Sequence, residues 1–121
     1  MTFYNKFSAL GAFALWFTWT YHINAGASNA MSSALFQGCL SASLTLVMIR
    51  ATKILAYKFH STRAKIFGPS IIISSLCFSL AYLIHSIIKT SEIFKTVLPA
   101  VIAGFLFCII TCSKNIICEE K

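Results

Sequence analysis

The chain has 121 residues, of which 58% are hydrophobic and 11% charged, with a mean hydropathy of +0.80, whereas ordinary soluble domains carry roughly 45–50% apolar and 25% charged residues. Ten Lys/Arg stand against three Asp/Glu, a net charge of +7, and Asp is absent, which leaves almost no residues for carboxylate-pair catalysis or an acidic metal site. The composition predicts an all-α integral membrane protein, a single domain over residues 1–121.

No charge occurs between Lys6 and Arg50. That interval is too long for one crossing of a hydrocarbon core about 30 Å thick, and its middle, His22-Ile-Asn-Ala-Gly-Ala-Ser-Asn29, has the composition of a turn. Two transmembrane helices are predicted, about 5–23 and 29–50. The apolar run ahead of Asn24-Ala-Gly-Ala27 imitates a signal peptide with its small-residue cleavage site. The expectation is an uncleaved first helix, with Trp16, Trp19 and Tyr21 approaching the outer interface as amphipathic rings do.

In the second helix Ser33, Gln37, Ser41 and Thr45 recur every four residues beside Ala34, Gly38 and Ala42, so one face is polar and small. Such a face packs against another helix through close approach and interhelical hydrogen bonds. It also suits a path for a hydroxylated or head-group-bearing substrate, with Gln37 as its main donor and acceptor. A basic cytoplasmic loop is expected over 51–65, continuing the second helix or lying along the headgroups. Its cations with the preceding one, Arg50, Lys53, Lys58, Arg63 and Lys65, are candidate lipid-headgroup contacts, although topology alone accounts for such a cluster.

The third helix is predicted at about 66–88, opening with Gly68-Pro69, and the fourth at about 96–113, with Pro99 near its start, because Pro suits a first helical turn. Ser70, Ser74, Cys77 and Ala81 in the third helix, and Ala100, Gly104, Cys108 and Cys112 in the fourth, form small-residue stripes. Gly38, Ala100 and Gly104 are the helix-packing candidates, within the chain or across a homodimer. The first and third helices carry Phe-Ala-Leu-Trp-Phe17 and Phe-Ser-Leu-Ala-Tyr82, each followed by a histidine, His22 or His85, a pattern compatible with a parallel duplication.

His22 and His85 lie near the predicted outer ends, hydrogen-bonded at headgroup level or joined with Lys89 and Lys95, near Asn24 and Asn29, in an outer site for an anion such as phosphate. Two histidines fall short of the three or four ligands that zinc takes, so no metal and no cofactor are expected. The five cysteines, Cys39, Cys77, Cys108, Cys112 and Cys118, fall in spans or in the tail, so a disulfide framework is not expected. Lys6, Arg50, Lys53, Lys58, Arg63, Lys65, Lys114 and Lys121 lie on one side of the four spans and only Lys89 and Lys95 on the other. Cytoplasmic connections carry the excess of Lys and Arg, which predicts two hairpins with both termini inside, in a bacterial inner membrane.

In length, four-span layout and basic inner loop the chain resembles in outline the small bacterial transporters and flippase-type proteins, among them the small multidrug resistance family and the family proposed to move polyprenyl-linked sugars. It departs from both. Lys6 to Trp19 holds no acid where the multidrug family has a membrane-embedded glutamate, and the sugar-lipid family's Asn-Phe and Asn-Arg signatures are missing, with only Met48-Ile-Arg50 loosely placed. No residue role carries over. The sequence supports a homo-oligomeric transporter or flippase-like protein for an amphipathic or lipid-linked anionic substrate, or alternatively a non-catalytic subunit of a larger membrane complex. A holin-like pore has only small size and positive charge in its favour, an enzyme lacks any nucleophile–base–acid spacing, and nucleic-acid binding lacks a recognisable module. Membrane lipids, and further copies or a larger membrane protein, are the expected partners.

Overall fold

The computed structural model describes residues 3–119, folded into four helices: α1 (Phe3–Ile23), α2 (Ala30–Ala56), α3 (Thr62–Ile87) and α4 (Ile93–Glu119). Lys121 and the side chain of Cys118, both read in the sequence, lie outside the described residues. Three helices, α2, α3 and α4, are long and apolar enough to cross a membrane. At 21 residues α1 is the shortest, with Lys6 near one end and Thr18, Thr20, Tyr21 and His22 crowding the other, and it falls outside that set.

Each boundary has a local cause. Ser61 caps α3, its hydroxyl accepting from the Ala64 amide at 3.3 Å, so the helix begins at Thr62 and Pro69 sits inside it rather than at its start. Pro99 likewise falls inside α4, which begins at Ile93. Helix occupies most of the stretch 51–65, leaving a connection of residues 57–61. Phe59 in that connection folds back over Gly68, where a Cβ would stand 2.6 Å from the ring, so only glycine admits the contact. At the other end the 24–29 turn passes through Gly26 with φ +93°, and the 88–92 turn through Lys89 with φ 55°.

The helices pack as a rhombus. α1 lies along α2 and α3 along α4, α2 and α4 meet across the short diagonal, and α1 and α3 stand farthest apart across the long one. The α1–α4 edge is the sparsest of the four sides. Gly38 lets α2 approach α1, since a Cβ there would lie 3.0 Å from the Phe13 ring and 3.2 Å from the Phe13 carbonyl oxygen. Met48, Ile73 and Cys108 form the centre of the core with Leu44, Ala51, Leu55, Cys77 and Phe107 against them. The outward faces are apolar as well, with Leu10, Leu76 and Ile87 each about two-thirds exposed, which is the pattern of helices that are hydrophobic all round. The phenylalanines of α1 and the aromatics of α3 stack in matching places, Phe13 on Phe17 at 5.8 Å and Phe78 on Tyr82 at 6.1 Å.

Candidate functional site

Side-chain hydrogen bonds that join one helix or turn to another cluster at the end formed by residues 19–37 and 85–96. His85 of α3 is fully buried there. Its Nε2 lies 2.8 Å from Gln37 Oε1 and its Nδ1 2.7 Å from Thr90 Oγ1, which in turn lies 3.0 Å from Ser33 Oγ. With the Gln37 oxygen turned to the ring, Nε2–H donates to it, Nδ1 accepts from the Thr90 hydroxyl, and Thr90 Oγ1 accepts from Ser33. The chain of donors runs one way through four buried side chains, and each histidine nitrogen is satisfied.

Around this core the two turns grip one another. Asn24 Nδ2 donates to Thr96 Oγ1 at 2.9 Å while its Oδ1 accepts from the Glu92 amide at 3.0 Å. Asn29 stands at the N-cap of α2 without a side-chain cap, and its Nδ2 donates across to the Ile88 and Lys89 carbonyls at 3.0 and 2.8 Å. Trp19 Nε1 donates to the Lys95 carbonyl at 3.0 Å, tying α1 to α4. The result is a polar clasp across the end of the bundle.

Below the clasp lies a cavity of about 330 Å³ walled by all four helices, and the exposed residues in its wall, Ser8, Leu15 and Ala103, belong to α1 and α4, along the sparse edge. Ala12 and Trp16 of α1, Gln37 and Ser41 of α2, Ser74 of α3 and Ala103 of α4 are in its wall, and among the described residues none that line it is charged. Gln37 belongs to both features, its oxygen to the clasp and its residue to the cavity wall.

The expected polar face of the second helix is therefore divided. Ser33 and Gln37 enter the clasp, while Ser41 and Thr45 line the cavity, Thr45 donating to the Ser41 carbonyl at 2.7 Å. The four outer-site candidates are not brought together as one surface. His85 is buried, His22 is exposed, and Lys95 pairs with Glu92 at 3.2 Å on the surface. Lys89 and Lys95 contribute backbone carbonyls to the clasp rather than ammonium groups. Arg50, Lys53, Lys58 and Arg63 are exposed and Lys65 half-buried around the opposite end of the bundle, where α2 ends and α3 begins. Of the packing candidates, Gly38 meets α1 at Phe13, Gly104 approaches Met48 of α2, a Cβ there standing 3.3 Å from its Cε, and Ala100 lines the cavity.

Cys39, Cys77, Cys108 and Cys112 are free thiols, and no metal-binding group occurs among the described residues. Thr90 was not legible as a site residue, because a threonine in a short turn carries no pattern until the turn brings it onto His85. Asn24 and Asn29 were read as turn residues near an outer anion site, not as the side chains that bond the two turns together. Comparison with protein families, with curated proteins and with solved structures finds no match.

Proposed function

We propose that the four helices cross a bilayer, with both termini on the cytoplasmic side of a bacterial inner membrane, and that the protein is a homo-oligomeric transporter or flippase-like protein for an amphipathic or lipid-linked anionic substrate. The observation that carries this reading is the cavity beside Gln37, open along the α1–α4 edge toward the surrounding lipid. Its 330 Å³ lies at the small end of ligand sites, roughly 300–1,000 Å³, so it holds part of a lipid-like molecule rather than the whole. An anionic group stays outside, at the basic end of the bundle, where exposed cations attract anionic lipid at about 1 kcal/mol each. The clasp closes the opposite end, so movement between leaflets follows the open edge.

The test is transport of a fluorescent anionic lipid in proteoliposomes. Ala103→Phe fills the mouth of the cavity at an exposed position without touching the clasp, and is expected to abolish transport while the oligomer survives. Gln37→Leu is expected to reduce it too. Wild-type vesicles that move no lipid, or purification only in a fixed complex with a larger membrane protein, overturn the reading in favour of an accessory subunit. The open α1–α4 edge is where such a partner helix would dock.

A further inference from the structure

Helical serines ordinarily return their hydroxyl to the carbonyl four residues back, and three serines of α3 do so. Ser70 donates to Ile66 at 2.7 Å, Ser79 to Ser75 at 2.9 Å and Ser86 to Tyr82 at 2.8 Å. Ser74, between them, does not. Its residue is 92% buried, its hydroxyl has no partner, and it stands in the cavity wall. A buried hydroxyl left unpaired costs about 1–3 kcal/mol, so its position at a cavity is a reason to look for what pairs with it.

Across the same cavity, Gln37 spends its oxygen on His85, and among the described residues its Nε2 donates to nothing. The wall thus offers, in apolar surroundings, one neutral donor, the Gln37 amide N–H, and the Ser74 hydroxyl, whose oxygen is closed off until the side chain turns about χ1. A charge placed there would lose its hydration with no counter-ion to replace it, a penalty of several kcal/mol. A neutral oxygen loses little, because Gln37 Nε2 supplies a hydrogen bond directly and Ser74 Oγ does so after rotation about χ1.

We infer that the cavity binds the uncharged part of an amphiphile, a single hydrocarbon chain bearing a hydroxyl or carbonyl oxygen, with that oxygen bonded to Gln37 Nε2, and to Ser74 Oγ once the serine side chain turns into the cavity. The volume of 330 Å³, at the small end of ligand sites of roughly 300–1,000 Å³, suits one chain rather than a whole lipid. This deepens the reading proposed above and rests on the cavity being the substrate site.

Trp16 lines the cavity and Trp19, the other tryptophan, is held at the clasp, so fluorescence reports occupancy. The full chain in nanodiscs is titrated with ω-bromodecanol, with bromodecane and with ω-bromodecyl phosphate, bromine being the quencher. Saturable quenching by the alcohol is expected, abolished in Trp16→Phe, with the alkane and the phosphate each at least about 10-fold weaker. Ser74→Val, which keeps the volume but not the hydroxyl, or Gln37→Leu should weaken the alcohol by about 3- to 10-fold, the worth of one hydrogen bond, and leave the alkane unchanged. Equal quenching by alcohol and phosphate, quenching that never saturates, or indifference to both variants overturns the inference. Saturable, Ser74- or Gln37-dependent binding in a protein that moves no lipid overturns the transport reading and leaves this one standing. Lipid transport without saturable quenching does the reverse.

Discussion

His85 Nε2 and Gln37 Oε1 lie 2.8 Å apart in the buried end of the bundle, and this contact joins the two hairpins through the only histidine that the fold encloses. Deleting one partner strands the other. Gln37→Leu and His85→Leu should each destabilise the protein by about 1–3 kcal/mol, and the double substitution by less than their sum, because no buried polar atom is then left unpaired by that contact. Thermal unfolding in mild detergent measures the cycle, and additive losses refute the coupling.

The clasp depends on asparagines that bond across hairpins. Asn24→Ala removes bonds to Thr20, Thr96 and the Glu92 amide and should cost about 1–3 kcal/mol. Ser86→Ala removes only an exposed bond within α3 and should stay within about 0.5 kcal/mol of wild type. Equal effects from the two would show that the clasp adds nothing.

Two glycines in helices make opposite forecasts. Gly38→Ala drives a methyl into the Phe13 ring and backbone, at 3.0 and 3.2 Å, whereas a Cβ at Gly11 has nothing within 4 Å. Gly38→Ala should lose about 1–3 kcal/mol through overpacking, and Gly11→Ala should be neutral or gain up to about 1 kcal/mol from helix propensity. The same melting experiment decides between them.

Orientation is testable at the two ends of α2. In a cysteine-depleted background, Ser28→Cys in the 24–29 turn should react with a membrane-impermeant maleimide added to intact cells, and His60→Cys in the 57–61 connection only after lysis. Both positions are exposed. The reversed pattern overturns the inward placement of the termini, and with it the use of the positive-inside rule for this chain.

The helices were legible because uncharged runs between Lys6, Arg50, Lys65 and Lys89 set their number, and the turn residues of 22–29 marked the first reversal. Boundaries were less so. Pro69 and Pro99 suggested helix starts, yet Ser61 provides a better cap, and helix continues through both prolines. Gln37 stood out as a lone amide on an apolar helix, but its partner did not. His22 and His85 occupy matching sequence contexts, one exposed and the other buried, since only the 88–92 turn folds a threonine back onto its histidine.

Composition and charge spacing by themselves determined an all-helical chain of four apolar segments with its cations gathered mostly at one end, because helix length and charge exclusion are properties of each segment alone. Tertiary structure decided which polar atoms are spent and which are left. Gln37, Ser41 and Ser74 are all small or neutral polar residues on helix faces, and nothing local separates a hydroxyl that packs from one that lines a cavity. That distinction arises where α1 and α4 meet at the clasp and make little other contact, a matter of helix packing rather than of any one segment's sequence.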